Sequence, residues 1–66
     1  MNVKQLIAKL STFPQSRRVV IHGYEGGVCD VHEVTEQTIA LNVNKEWYYG
    51  PHEIVEVGKE KAVYIQ

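Results

Sequence analysis

Asn2-Val3-Lys4-Gln5-Leu6-Ile7-Ala8-Lys9-Leu10-Ser11-Thr12-Phe13-Pro14 opens the chain. Val3, Leu6, Ile7 and Leu10 fall at i, i+3, i+4 and i+7, the apolar stripe of a one-sided helix. Asn2 stands where an N-cap side chain accepts from the free amides of the first turn, and Gln5 holds the capping-box position. Lys4 and Lys9 lie off the stripe, toward water. Phe13-Pro14 ends the helix, because the residue before proline is pushed out of the α region.

Beyond the helix the pattern changes to short β-branched runs. Residues 18–22 (Arg-Val-Val-Ile-His) predict a first strand. Gly23-Tyr24-Glu25-Gly26-Gly27 is a turn whose glycines are free to take positive φ. Residues 28–34 return as the second strand of a hairpin. Thr35-Glu36-Gln37 then predicts a polar turn. A third strand is expected over 38–43, where Ile39, Leu41 and Val43 alternate with Thr38, Ala40 and Asn42. Glu46-Trp47-Tyr48-Tyr49 reads as a further extended piece, stopped by Gly50-Pro51. Residues 54–57 and 62–65 form a closing hairpin around the polar turn 58–61. No repeat or low-complexity tract interrupts this order.

The fold expected is therefore α+β, a single domain over 1–66. Its amphipathic helix packs on a four- to five-stranded antiparallel meander that is open or curled toward a barrel. Val19, Ile21, Val31, Ile39, Leu41, Val55, Val63 and Ile65 form the expected inward set. The other face still carries Val20, Val28, Val34, Ala40, Ile54 and Tyr64, and one helix covers one face only. Exposed apolar surface on a small chain is commonly covered by a second copy, so a homodimer is expected.

Size limits what such a chain can do. A domain of 66 residues buries only roughly 60% of the surface its unfolded chain exposes. Ordering each residue costs about 1.5 kcal/mol, which one small core barely offsets. The single cysteine, Cys29, excludes an internal disulfide. A lone thiol, with no uninterrupted apolar stretch after Met1 of the kind a signal peptide needs, fits a reducing cytoplasm. No apolar run approaches the ~20 residues of a membrane span. The net charge of −1 is unevenly spread: residues up to His22 include four bases and no acid, and those from Gly23 onward include three lysines and eight acids. A lysine-dressed helix over an acidic sheet accounts for this, and an acidic surface prepared for a basic partner is the sharper alternative.

Four places could carry chemistry. The glycine-rich turn lacks the following helix and the lysine of a phosphate-cradling loop, so a hairpin turn is the better reading. Cys29, Asp30, His32 and Glu33, with His22 across the hairpin, suggest a metal such as zinc, but strand residues three apart point to opposite faces, which separates Cys29 from His32. The same argument counts against a cysteine–histidine nucleophile pair. His22, Asp30 and His32 share a face in this reading and remain the alternative, a small metal- or ligand-binding site.

Trp47-Tyr48-Tyr49-Gly50-Pro51-His52-Glu53 is the most informative segment. Three consecutive aromatics in a strand place at least one on each face. Trp and Tyr give large contact area at low entropic cost and dominate interface hot spots. Either two rings fill the small core, or the segment is an interface. Nucleic acid would demand clustered bases beside the aromatics, and only Lys45 stands there, so this third option is disfavoured.

The helix stripe ending in Phe13-Pro14, followed by Val19-Val20-Ile21 and a glycine-rich turn, resembles a group of small uncharacterised bacterial and phage-associated proteins. Many of that group have Pro-Asp where this chain has Pro14-Gln15. The stretches Gly23-Tyr24-Glu25-Gly26-Gly27, Leu41-Asn42-Val43 and Trp47-Tyr48-Tyr49-Gly50-Pro51-His52 extend the likeness over most of the chain. The resemblance implies a fold but no activity, because the group has none assigned. The expected function is a non-enzymatic, self-associating protein-interaction module without cofactor. Trp47, Tyr48, Tyr49, Pro51, His52 and Tyr24 are its expected contact residues.

Overall fold

The computed structural model describes residues 1–66. The order is α1 (Val3–Leu10), β1 (Val20–His22), β2 (Val28–Asp30), β3 (Val34–Ala40), β4 (Glu53–Ile54) and β5 (Glu60–Ile65). The class is α+β, with two small antiparallel sheets in place of one meander. Two compact units divide the chain, Met1–His32 and Glu33–Gln66.

In the first unit, α1 begins and ends for local reasons. Asn2 is extended and its Oδ1 accepts from the Gln5 N–H at 2.9 Å, while Gln5 Oε1 accepts from the Asn2 N–H at 2.8 Å. This reciprocal pair satisfies two of the orphan amides of the first turn. At the other end the Ser11 N–H and Oγ both donate to the Ile7 carbonyl, at 3.0 and 2.8 Å. The stripe finds little cover. Leu6 is half-buried, but Val3, Ile7 and Leu10 are exposed, and α1 makes no extensive contact with β1 or β2. The expected packing of helix on sheet is thus not found in this unit, where each strand offers only three residues.

β1 and β2 pair as Val20↔Asp30, Ile21↔Cys29 and His22↔Val28. The turn falls at 23–27 as expected, and the hairpin is shorter only at its open end, where the sequence predicts that residues 18–19 and 31–34 also pair. Its loop closes with the Gly23 N–H donating to the Gly27 carbonyl at 3.1 Å. Gly27 has φ 62°, and a Cβ on Gly23 would collide with the Gly26 carbonyl oxygen, so both positions need glycine.

The second unit departs further from the sequence reading. Thr35-Glu36-Gln37 is no turn: it lies inside β3, paired residue by residue with Tyr64, Val63 and Ala62 of β5. A long partner strand outweighs the modest strand preference of Glu and Gln. β3 stops at Ala40 instead of reaching Val43, since Asn42 takes the left-handed conformation at φ 54°. The strand order is β4-β3-β5, so the expected closing hairpin of 54–57 with 62–65 does not exist. Both strands flank β3, and β4 and β5 are open edges, which rules out a closed barrel.

Gly58 explains how the chain passes from one side of β3 to the other. A Cβ there would lie 3.1 Å from Thr38 Cγ2 and 3.2 Å from the Ile39 carbonyl oxygen. The connection therefore crosses β3 closely at Thr38–Ile39, held by the Val55 N–H donating to the Thr38 carbonyl at 2.9 Å.

The inward set divides. Ile21, Val31, Ile39 and Val55 are half-buried, whereas Val19, Leu41, Val63 and Ile65 are exposed. Register separates Ile39 from Val63 and Ile65: these two oppose Glu36 and Val34, on the other face of β3. No side chain in either unit is fully buried. The chain exposes 6237 Å², whereas two separate compact bodies of half its 7.5 kDa mass would together expose about 5,100 Å². Much apolar surface that a small protein ordinarily covers is left open in both units.

Candidate functional site

The loop 41–52 joins β3 to β4, and hydrogen bonds to two asparagines and a histidine set its path. Asn42, in its left-handed conformation, donates its N–H to His52 Nδ1 at 3.0 Å. An imidazole that accepts at Nδ1 holds its proton at Nε2. Asn44 does more. Its N–H donates to the Pro51 carbonyl at 3.1 Å. Its Nδ2 donates to the Gly50 carbonyl and to Glu53 Oε2, both at 2.8 Å. One asparagine thereby ties the start of the loop to its end and to the first residue of β4. Asparagine suits this place because its amide carries two donors on a short, stiff side chain.

Within the frame so formed, the Tyr49 N–H donates to the Glu46 carbonyl at 3.1 Å and closes a β-turn over 46–49. The expected extended piece is thus a turn, with a consequence for the rings. In a strand, consecutive side chains diverge to opposite faces; in this turn they meet. Trp47 and Tyr48 touch edge to face, with ring centroids 5.5 Å apart and planes at 89°, and Tyr48 and Tyr49 lie 5.2 Å apart at 41°. None is core: Trp47 is 91% exposed, Tyr48 63% and Tyr49 61%. The result is a contiguous aromatic cluster on a hydrogen-bonded loop, with Glu46 beginning its turn and Glu53 following the loop as the first residue of β4. Pro51 and His52 lie in the same loop. Tyr24, the other expected contact residue, is fully exposed in the β1–β2 turn.

Beside His52 the sheet forms a groove of about 390 Å³ lined by Gln37, Ile39, Ile54, Ala62 and Tyr64. It is half open to solvent.

As a metal centre the alternative site does not assemble. His22 and Asp30 share a face of the β1–β2 ladder, but His32 lies past the end of β2. Asp30 Oδ1 instead accepts from Arg18 Nη1 at 3.3 Å, an exposed pair. No three His, Cys, Asp or Glu side chains converge as metal ligands would. Cys29, the ladder partner of Ile21, turns its thiol to donate to the backbone carbonyl of His22 at 3.6 Å and not to an imidazole. No helix is long and apolar enough to cross a membrane.

Sequence reasoning located the aromatics but missed Asn42 and Asn44, which hold them in place. Their signal was present as two turn-forming residues flanking Val43, hidden because Leu41 and Val43 continue the alternation of Ile39. No family model matches the chain, and neither a curated protein nor a solved structure matches it.

Proposed function

We propose that this chain is a non-enzymatic protein-interaction module that associates with itself and presents the aromatic turn 46–49 as its contact surface for a protein partner. One observation carries the reading. Three aromatic rings pack on one another outside the sheet, on a loop tied back by Asn44 and His52. Pre-ordered rings reach a partner without first losing conformational entropy, the condition under which Trp and Tyr contribute most. The loop residues Pro51 and His52 extend the contact, and Tyr24, fully exposed in the other unit, offers a contact of its own. The lone thiol of Cys29 suits work in a reducing cytoplasm. In this reading the chain also belongs with the small bacterial and phage-associated proteins its opening resembles.

Two measurements test the proposal. Light scattering over a dilution series is expected to show a species larger than the monomer, and a strictly monomeric chain would count against self-association. A displayed peptide library, selected on the immobilised protein with Trp47→Ala as counter-selection, is expected to yield sequences that need the indole. Trp47 is 91% exposed, so its truncation leaves the melting temperature unchanged. A selection that enriches nothing, or enriches equally on both proteins, would refute the turn as a contact surface.

A further inference from the structure

The proposed self-association leaves open which surface meets the second copy, and the backbone of β5 bears on that. The Glu33 N–H donates to the Gln66 carbonyl at 2.8 Å and the Gln66 N–H returns to Glu33 at 3.0 Å, so 33 and 66 are a hydrogen-bonded pair. Antiparallel ladders alternate such pairs with open ones. Along the register, Thr35/Tyr64, Gln37/Ala62 and Ile39/Glu60 are then the bonded pairs. The N–H and C=O groups of Lys61, Val63 and Ile65 consequently point away from β3, along the outer edge of the sheet.

This is the longest free edge in the molecule. β4 has two residues, and β1 and β2 have three each. On its other side β3 is occupied from Thr38 onward by Val55 and β4. β5 contains no proline, glycine or bulge, and only Lys61 among its edge-facing residues is charged. Natural proteins avoid leaving such a strand uncovered.

We infer that β5 pairs antiparallel with β5 of a second copy about a two-fold axis at Val63, joining two three-stranded sheets into one of six strands. The edge is self-complementary in that register. Val63 faces Val63, and Lys61 faces Ile65 on either side, so three facing pairs exchange two bonds each. The intervening positions set small Ala62 against large Tyr64, and Glu60 against Gln66. No like charges oppose one another. A slip by two residues in either direction loses a bonded pair, so one register is favoured, and an isologous pair of this kind closes on itself. Lys61 is already steadied on that face by Glu36 at 3.8 Å. The aromatic turn hangs from β3 and β4, so pairing at β5 leaves it free for a partner.

Val63→Pro tests the inference, which rests on the self-association proposed above. Proline removes an outward N–H that β3 does not use, and an edge strand tolerates it there. The variant is expected to keep its circular dichroism spectrum while its dimer dissociation constant, read by light scattering, rises at least ~10-fold. In the wild type, amide exchange at Lys61, Val63 and Ile65 is expected to slow as concentration rises, with Ala62 and Tyr64 protected at every concentration. This second measurement decides the matter should the variant fail to fold. Concentration-independent exchange at the three edge amides would overturn the assignment. A dimer that survives Val63→Pro but is lost in Trp47→Ala would also overturn it, leaving the interaction-module reading intact. Peptide selection that fails on a β5-paired dimer would sink the contact turn and not the edge.

Discussion

Asn44→Ala should release the aromatic turn while leaving the three-stranded sheet in place. The substitution removes both Nδ2 bonds, to the Gly50 carbonyl and to Glu53 Oε2. A net intramolecular hydrogen bond contributes about 1 kcal/mol, and bonds to ionised groups contribute more. Glu53 is exposed, which holds its bond near the neutral value. The loop therefore loses about 2 kcal/mol of closure, equivalent to an opening equilibrium roughly 30-fold larger. Hydrogen exchange followed by NMR reads this directly. The amides of Asn42, Asn44 and Tyr49, which bond to His52, Pro51 and Glu46, are expected to exchange up to about 30 times faster. Those of Thr35 and Gln37, inside the β3–β5 ladder, should keep their rates. Trp47 anisotropy should fall in parallel. Asn44→Asp should loosen the loop further, because it removes both donors and sets a second carboxylate beside Glu53. Loop amides that exchange no faster than in the wild type would refute the role given to Asn44. Equal acceleration in loop and sheet would show instead that the loop is no separate unit of stability.

Two further substitutions probe the frame around the site. Gly58→Ala places a methyl against Thr38, Val55 and the Ile39 carbonyl; overpacking of about 1–3 kcal/mol outweighs the 0.4–1 kcal/mol gained from a stiffer unfolded chain, so the urea midpoint should fall by the equivalent of about 1 kcal/mol. Asn2→Ala removes the cap on Gln5 and should cost about 1 kcal/mol of helix stability, seen as reduced ellipticity at 222 nm with β3–β5 amide protection unchanged.

Local chemistry determined the helix and the first turn. Asn2, Gln5 and Phe13-Pro14 act within a few residues of themselves, and α1 runs between them as their placement requires. Gly23 and Gly27 likewise meet needs that arise inside their own loop. That at least one ring of Trp47-Tyr48-Tyr49 stays outside a core this small was legible too, although the sequence left open whether two of them fill it, and all three are exposed. Everything that depended on a distant partner was decided in three dimensions. Thr35-Glu36-Gln37 looks like a turn until β5, far along the chain, pairs with it. Val43 continues an apolar alternation, yet Asn42 bends the chain away because His52 is there to accept its amide. The aromatic run reads as a strand by composition and becomes a turn because Asn44 reaches across to Gly50 and Glu53. Caps and glycines carry their physical cause within themselves, whereas a strand acquires its identity from the edge it meets. In this chain β5 still presents such an edge.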